Sequence, residues 1–289
     1  MQYVGNVIRP PSEADSIILQ VAVGCSYNKC TFCGAYKDVP FSLKDDEAIK
    51  EDLLFAQRYL RNANRLFLAD GDVLILSQKR LLKLFRMIRE YLPWINRISL
   101  YGNARAIRSK SVDQLVELKA HGLSRIYMGM ESGCAEVLQA VKKGETPETL
   151  RAAAVSVNEA GIFLSVTALL GLGGVTLSER HAVETGKVLA AMAPRQIALL
   201  TLIPLENTVL GQDALAGRFH LPGPQVILKE LYQVLSQLTE TRCQFHANHA
   251  STYLPLAGRL PKDRDYLLRI IEHAMAGAVP LVPDFRRAL

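Results

Sequence analysis

Short apolar runs alternate with longer amphipathic segments along most of this chain. The short runs are almost entirely apolar, which predicts buried strands, whereas the longer segments repeat their apolar positions every three to four residues, which predicts helices. Strands are expected at residues 17–23, 65–69, 97–101, 124–128, 163–169 and 197–202. Helices are expected at residues 45–60, 78–91, 112–121, 147–160, 177–192 and 225–239.

The repetition of a strand followed by a helix predicts the fold class. Strands that are apolar on both faces belong in a parallel sheet covered by helices, and the connections in such a sheet are right-handed. Six repeats form an open barrel better than a closed barrel of eight strands. We therefore expect an α/β fold, a partial (β/α)6 TIM-like barrel with a short C-terminal extension, whose reactive residues lie at the carboxyl ends of the strands.

The domain organisation follows from the same pattern, because no linker or low-complexity segment interrupts the 289 residues. We expect residues 1–222 to form the core barrel. Residues 223–289 are expected to add the last helix, a substrate-side strand and the C-terminal extension to the same domain. Within them, residues 243–254 predict a short strand and a polar turn, and residues 263–276 predict a helix, which together cover the open side of the barrel.

Charge and hydropathy narrow the possible partners. The formal net charge is +6, but the Lys and Arg residues are scattered, so a mildly basic, solvated surface explains them. Nucleic-acid binding is allowed by this charge without being indicated. The most apolar stretch, residues 163–172, is about half as long as a membrane span, so we expect a cytoplasmic protein with no membrane partner.

Three cysteines near the amino terminus, Cys25, Cys30 and Cys33, follow the first predicted strand. Three thiolates on one loop hold three irons of a four-iron cluster and leave the fourth iron open for another ligand. A structural zinc site, the alternative, requires a fourth close ligand, but the next cysteine is Cys134. The total of five cysteines is odd, which disfavours a disulfide framework and indicates a reduced protein.

This loop resembles the cluster loop of the radical S-adenosylmethionine (SAM) superfamily, whose usual form is C-x3-C-x2-C with an aromatic residue before the last cysteine. Phe32 stands at the aromatic position, but residues 26–29 make the first spacing one residue longer, so the loop reads C-x4-C-x2-C. The resemblance implies an oxygen-sensitive enzyme with a [4Fe-4S] cluster on Cys25, Cys30 and Cys33. It also implies SAM as the second cofactor.

Two further segments are similar to SAM-binding segments of the branch that contains oxygen-independent coproporphyrinogen oxidases, elongator-type enzymes and methylthiotransferases. After the second strand, Asp70, Gly71 and Asp72 resemble the turn that binds the methionine amino group. A tight β–α turn is the alternative use of the two carboxylates. After the third strand, Arg105 is implied to pair with the methionine carboxylate and Asn103 to contact cofactor or substrate. A helix-capping or solvated role is the alternative for Arg105.

The fourth and fifth strands end in segments that also resemble the superfamily. Glu131 and Ser132 stand in a G-x-E-S-like turn, where the resemblance implies that Glu131 binds the ribose hydroxyls of SAM. A buried ion pair is the alternative use of Glu131. Leu170 and Gly171 begin a glycine-rich segment similar to the one that lines the adenine. Lys143, which follows the Glu131 turn, is expected at the surface or facing the substrate.

The densest polar cluster that SAM binding leaves unexplained lies at residues 246–253. We expect His246, Asn248, His249 and Tyr253 to face the substrate, where histidines bind carboxylates, transfer protons or ligate a metal. Packing or helix capping is the alternative for these side chains. Cys134 and Cys243 are expected to be buried, with a thiol that donates hydrogen to a substrate radical as the alternative for Cys243.

The resemblance implies that the reduced cluster cleaves SAM to methionine and a 5′-deoxyadenosyl radical, which abstracts hydrogen from a substrate inside the barrel. A second set of cluster cysteines, an acetyltransferase domain and a cysteine-rich tail are all missing, which favours a small-molecule substrate. A one-electron donor such as flavodoxin or ferredoxin is the expected protein partner. A radical SAM enzyme acting on RNA and a non-enzymatic iron–sulfur protein remain the alternatives.

Overall fold

The computed structural model describes residues 1–288. In this part of the chain the strands are β1 (Ile17–Gln20), β2 (Ala22–Val23), β3 (Ser42–Leu43), β4 (Arg65–Ala69), β5 (Arg97–Tyr101), β6 (Leu123–Glu131), β7 (Phe163–Leu170), β8 (Gln196–Thr201), β9 (Cys243–Ala247) and β10 (Leu256–Leu260). The helices are α1 (Asp46–Tyr59), α2 (Gln78–Tyr91), α3 (Ala104–Arg108), α4 (Val112–Ala120), α5 (Ala135–Ala140), α6 (Pro147–Glu159), α7 (Gly174–Met192), α8 (Val209–Leu215), α9 (Pro224–Ser236) and α10 (Arg264–Met275). Short 3-10 helices lie at Pro11–Glu13, Val73–Ile75 and Asp284–Arg286.

The longer predicted helices and five of the six predicted strands form with ends within a few residues of the expected positions. The strand expected at residues 17–23 divides into β1 and β2, which belong to different sheets. The periodicity did not predict α3, α5, α8 or the short strand β3. These elements are too short to show an apolar repeat over two turns or two alternations. The helix expected at residues 263–276 forms as α10, whereas no element was predicted for residues 256–260, where β10 pairs antiparallel with β9.

Eight strands form one mostly parallel sheet in the order β1-β4-β5-β6-β7-β8-β9-β10, and β2 and β3 pair separately. The pairs β1–β4, β4–β5, β5–β6, β7–β8 and β8–β9 are parallel, and β9–β10 is antiparallel. β1 and β10 end this order, so the strands of residues 1–288 make no closed barrel. The expected α/β fold with a partial TIM-like barrel is therefore confirmed.

The described chain divides into two compact units. The first comprises residues 1–28, 35–128 and 155–164, and the second comprises residues 29–34 and 129–154 and the chain from Ser165 onwards. The expected division at residue 222 stays a prediction. No helix of residues 1–288 is long and apolar enough to cross a bilayer.

In the first unit, strands β1, β4 and β5 lie in parallel register, with Leu19 opposite Leu68 and Leu68 opposite Leu100. All three side chains are fully buried. Helix α2 buries Leu81, Leu84, Phe85 and Ile88, an i, i+3, i+4, i+7 stripe that explains why this segment is helical and packed. Because the strands are parallel, the turns that follow β4 and β5 emerge at the same edge.

In the second unit, β7, β8 and β9 lie in parallel register. Val166, Ile197 and Phe245 are opposite one another and fully buried. One position further along, Thr167, Ala198 and His246 form a row whose side chains are only partly buried. Since alternate residues of a strand face opposite sides, this row lies on the open face of the sheet. Helices α7 and α9 pack against each other in the same unit.

Candidate functional site

The cysteine loop is irregular between β2 and β3, and its three thiols are half-buried. Cys25 belongs to the first unit, whereas Cys30 and Cys33 belong to the second. All five cysteines of the chain are thiols rather than disulfides. As the loop lies, no three His, Cys, Asp or Glu side chains of residues 1–288 are arranged to hold a metal ion. Ligation of a cluster by these three cysteines therefore stays a prediction.

The second half of the loop is anchored within the second unit. The Thr31 amide donates to the Val141 carbonyl at 3.0 Å, and the Thr31 carbonyl accepts from the Leu210 amide at 2.9 Å. The Phe32 ring packs against an apolar cluster that includes Cys134 and Leu172. Phe32, expected near the cofactor, thus fixes the loop between Cys30 and Cys33 through apolar contact.

Asp70 holds the first half of the loop within the first unit. Its buried carboxylate accepts hydrogen bonds from Gln20 Nε2 at 2.8 Å, the Tyr36 hydroxyl at 3.1 Å and the Gly24 amide at 3.3 Å. Burial raises the pKa of this carboxyl, although the three donors oppose the rise. The contacts match the alternative role of Asp70 as a turn-building residue.

Gly71 permits a close approach between the acidic turn and the cysteine loop. A Cβ atom at this position would lie 3.1 Å from the Cβ of Cys25 and 2.9 Å from the Tyr36 ring. The Gly71 amide also donates to the Gly24 carbonyl at 3.2 Å. A side chain at residue 71 would therefore push the loop away from the end of β4.

Asp72 and Asn103, predicted from two different turns, are brought together in the first unit. Asn103 Nδ2 donates to the fully buried Asp72 carboxylate at 2.7 Å, and the Ser26 hydroxyl donates to it at 2.5 Å. Burial raises the pKa of Asp72 to about 6. Asn103 Oδ1 also caps α3 by accepting from the Ala106 amide at 2.8 Å. Arg105, in the first turn of α3, has an exposed side chain, so its pairing with a carboxylate stays a prediction.

Glu131 and Lys143 form an ion pair in the second unit. Lys143 Nζ lies 2.9 Å from Glu131 Oε1, and each side chain is 12% exposed. Burial alone would lower the pKa of Lys143, but the negative charges of the Glu131 carboxylate and of Cys30 and Cys33 as thiolates outweigh burial and raise this pKa. A surface position for Lys143 is therefore wrong, because its ammonium pairs with Glu131 inside the protein, and the expectation that it faces the substrate stays a prediction. The alternative of a buried ion pair for Glu131 is what the structure contains.

Ser132 is part of a buried chain of hydrogen bonds. His181 Nε2 donates to the Leu169 carbonyl at 2.9 Å, so His181 Nδ1 is free of its proton and accepts from the Ser132 hydroxyl at 2.8 Å. The Ser132 oxygen in turn accepts from the Cys134 amide at 3.0 Å. Burial lowers the pKa of His181 to about 4, so the ring is neutral. Ser132 thus fastens the turn after β6 to α7, and its contact with a cofactor stays a prediction.

The glycine-rich turn after β7 is held by a buried carboxylate that the sequence reasoning missed. Glu230, on α9, accepts from the Gly171 amide and from the Ser178 hydroxyl, both at 2.6 Å. Glu230 is fully buried, and burial raises its pKa to about 7. Leu170, the last residue of β7, is also buried.

His249 lies in the polar turn that follows β9. Its Nδ1 atom accepts from the Ser251 amide at 3.1 Å and lies 2.9 Å from the Ser251 hydroxyl. A backbone N–H can only donate, so Nδ1 carries no proton and the neutral ring is protonated at Nε2. Burial lowers the pKa of His249, which favours this neutral form. The basic lone pair is therefore occupied, and the ring offers Nε2–H as a donor.

Tyr253 is more deeply buried than a substrate-facing role requires. Its hydroxyl donates to Asp284 at 2.8 Å, and the Arg287 guanidinium stacks 3.8 Å from the ring centre. Burial raises the pKa of Tyr253 to about 12. Since both its hydroxyl and its ring are engaged by the C-terminal residues, these contacts favour the packing alternative, and substrate contact by Tyr253 stays a prediction.

His246, on β9, lies on the open face of the sheet, whereas Cys243 lies on the opposite face. Burial raises the pKa of the Cys243 thiol to about 12. The expected burial of Cys243 is confirmed, as is that of Cys134. The alternative of hydrogen donation by Cys243 is disfavoured, because its thiol lies on the covered face.

Two residues that the sequence reasoning missed, His181 and Glu230, carry a weak local signal. Each is a polar side chain within a predicted amphipathic helix, and Glu230 falls between the apolar positions Ile227 and Leu231. A charged residue on the apolar stripe of a helix is buried only when it is paired, so it indicates an internal partner. The neighbouring residues in the sequence do not indicate which partner that is.

Comparison with known proteins shows the family and agrees with the fold. Residues 19–185, more than half of the chain, match the sequence profile described as the Radical SAM superfamily. The chain belongs to the radical SAM superfamily, and it is an enzyme. Members of this superfamily bind a [4Fe-4S] cluster and SAM.

Among curated proteins, oxygen-independent coproporphyrinogen III oxidase of Escherichia coli (strain K12) is 24% identical over 238 residues, which is 78% of this chain and 50% of that protein. The chain thus spans about half the length of the curated relative it matches. The structure of that enzyme, HemN, has a TM-score of 0.56 and 20% identity over 78% of this chain and 52% of its own.

Two other solved structures share the fold. The radical SAM methyltransferase TsrM from Kitasatospora setae has a TM-score of 0.57 and 19% identity, covering 72% of this chain and 41% of its own. The archaeal Elp3 of Methanocaldococcus infernus has a TM-score of 0.52 and 14% identity, covering 92% of this chain and 64% of its own. At these identities the likeness is one of fold alone.

Proposed function

We propose that this radical SAM enzyme holds its cluster through Cys25, Cys30 and Cys33 and acts on a small molecule. The donor set fits the cluster, because thiolates are the usual protein ligands of iron–sulfur clusters and three of them leave one iron open. The loop that carries them is irregular and half-buried, and it is anchored at Asp70 in one unit and at Thr31 in the other.

The observation that carries this proposal is the placement of Lys143. Its ammonium is largely buried and pairs with Glu131 at 2.9 Å, and negative charge on Cys30 and Cys33 raises the pKa of Lys143 further. Three thiolates bring negative charge into a half-buried site, where a neighbouring cation stabilises them.

When bound, the reduced cluster supplies the electron that cleaves SAM to a 5′-deoxyadenosyl radical. The residues of the chain bind and orient SAM. Glu131 Oε2 accepts no hydrogen bond from residues 1–288, so we infer that it receives the ribose hydroxyls of SAM. We assign the methionine amino group to the turn at Gly71 and the adenine to the turn at Gly171.

The open face of the second unit supports a small-molecule substrate. The row Thr167, Ala198 and His246 is partly accessible, and two of its three side chains are small, which leaves room beside the imidazole. His249 adds an Nε2–H donor at the carboxyl end of β9, suited to a substrate oxygen. We infer a one-electron donor such as flavodoxin or ferredoxin as partner. A reducing compartment such as the cytoplasm suits the five thiols.

The test is anaerobic reconstitution with iron and sulfide, followed by reduction with dithionite in the presence of SAM and chromatography for 5′-deoxyadenosine. We expect this product from the wild type and from Cys243→Ala, a matched control whose thiol lies on the covered face of the sheet. Cys30→Ala should give none. A full four-iron cluster without SAM binding or cleavage would contradict the proposal and favour a non-enzymatic iron–sulfur protein.

A further inference from the structure

The turn Gly171–Gly174 begins with a backbone amide that needs an acceptor inside the protein. Gly171 is buried at the end of β7, and its N–H donates to Glu230 Oε2 at 2.6 Å. The other carboxylate oxygen of Glu230 accepts from the Ser178 hydroxyl at 2.6 Å, one turn into α7. One side chain therefore joins the start of the turn to the helix that follows it.

Apolar side chains lie close to Gly171. A Cβ atom at Gly171 would lie 2.9 Å from Ile227 Cδ1, so α9 packs directly against the turn. Gly171 has φ +83°, a left-handed conformation that other residues adopt at a cost. Without Glu230, its buried amide would lose its partner in an apolar environment, which is costly.

We propose that Glu230 positions the glycine-rich turn for binding the adenine of SAM. The inference rests on the proposed function, in which backbone groups of this turn read the edge of the base. Such groups bind well only when they are fixed in advance, since ordering them on binding costs free energy. Glu230 lies beneath the turn, so it acts through the Gly171 amide and is a positioning residue.

Two substitutions at residue 230 distinguish the effect of losing the hydrogen bonds from the effect of losing the carboxylate. Glu230→Gln keeps an oxygen that accepts from Gly171 N–H, and its NH2 group donates to Ser178, whose hydroxyl both donates and accepts. Glu230→Ala removes both contacts. The matched control is Leu231→Ala, at the next residue of α9, because Leu231 is buried and its truncation destabilises the core while both Glu230 contacts remain.

The measurements are hydrogen exchange at the Gly171 amide and the dissociation constant of SAM for the reconstituted protein. For Glu230→Ala we expect exchange to accelerate and the dissociation constant to rise, each by about tenfold or more, since the buried Gly171 amide loses its acceptor. For Glu230→Gln we expect the exchange rate and the dissociation constant to stay within about threefold of the wild-type values. Leu231→Ala should lower the denaturation midpoint, but its dissociation constant for SAM should also stay within about threefold of the wild-type value.

Two results would overturn the inference. One is unchanged SAM affinity in Glu230→Ala when the wild type binds SAM. The other is an equal loss in Leu231→Ala, which would mean general destabilisation. A wild type that holds a full cluster but binds no SAM would instead overturn the proposed function, and the role of Glu230 in SAM binding with it.

Discussion

Buried polar side chains build the turns that follow the strands. Asp72, Ser132 and Glu230 are fully buried, and each is satisfied by named donors or acceptors of the chain. A buried polar group without a partner is costly, so each such group fixes the backbone that supplies its partner. Single buried residues therefore tie the turns that are proposed to bind SAM to the elements next to them.

Removing the Lys143 ammonium should weaken both cofactor sites. In Lys143→Met, Glu131 is left as a largely buried charge without its partner and the thiols lose a nearby cation. We expect SAM affinity to fall by about tenfold or more and iron content after reconstitution to drop. Lys142→Met is the control, since that neighbouring side chain is exposed. Equal behaviour of the two variants would contradict the role given to Lys143.

His249 should be neutral and protonated at Nε2 throughout the neutral pH range. The Ser251 amide occupies Nδ1, and burial lowers the ring pKa below its usual value of about 6.5. Nitrogen-15 NMR of the imidazole reports the tautomer directly. In Ser251→Ala the loss of the hydroxyl, which donates to the neutral ring, should raise this pKa, whereas Thr252→Ala should leave it unchanged. A proton on Nδ1 in the wild type would refute the assignment.

The residue types of the candidate site were predictable from motif order, but their partners were not. Lys143 pairs with Glu131 across 12 positions, His181 with Ser132 across 49 and Glu230 with Gly171 across 59. Contacts between residues so far apart in the chain produce no local sequence pattern from which they could be predicted. Asn103 was predicted near the cofactor, yet its role as the N-cap of α3 was missed because α3 is too short to show periodicity.

Whole elements followed the sequence pattern more closely. β4, β5 and α2 have the predicted bounds, since each is long enough for its apolar pattern to be unambiguous. The C-terminal segment, residues 280–288, carried no such pattern. It is held by tertiary contacts, with the Val282 amide donating to the Tyr253 carbonyl at 2.8 Å and Arg287 Nε donating to the Ser251 carbonyl at 2.7 Å.

Loss of one side chain in this segment should loosen the polar turn that carries His249. In Arg287→Ala the contacts to the Ser251 carbonyl and to the Tyr253 ring disappear. We expect hydrogen exchange at residues 250–253 to accelerate by roughly tenfold, because a charged hydrogen bond and a stacked ring are lost together. Arg286→Ala, at an exposed neighbouring position, is the control. Unchanged exchange in Arg287→Ala would show that the turn at residues 250–253 is stable without this contact from the C-terminal segment.

For the molecule as a whole, buried titratable groups set the response of stability to pH. The pKa of His181 is lowered to about 4 in the folded protein, so the unfolded chain binds a proton at a higher pH. The contribution of the neutral His181 to the free energy of unfolding is therefore present above about pH 6.5 and is lost as the pH falls towards about 4. Glu230, with a pKa raised to about 7, acts in the opposite sense and loses its contribution as the pH rises through that value.

The effect of His181 is isolated by comparing the wild type with His181→Gln, whose amide keeps a donor for the Leu169 carbonyl. Between about pH 7.5 and about pH 5, the wild type should lose about 2 kcal/mol more unfolding free energy than the variant. Urea denaturation at the two pH values measures this difference. Because both proteins contain Glu230, its contribution to the pH dependence cancels. An identical pH dependence in both proteins would contradict the buried, neutral histidine.

We propose that Cys25, Cys30 and Cys33 hold the cluster and leave one iron open for SAM. The most direct test of this proposal is electron paramagnetic resonance of the reduced, reconstituted protein, recorded with and without SAM. We predict a four-iron signal that changes when SAM is added and that is missing from Cys25→Ala, Cys30→Ala and Cys33→Ala. A complete four-iron signal in any of these variants, or a wild-type signal that SAM leaves unchanged, would contradict the account.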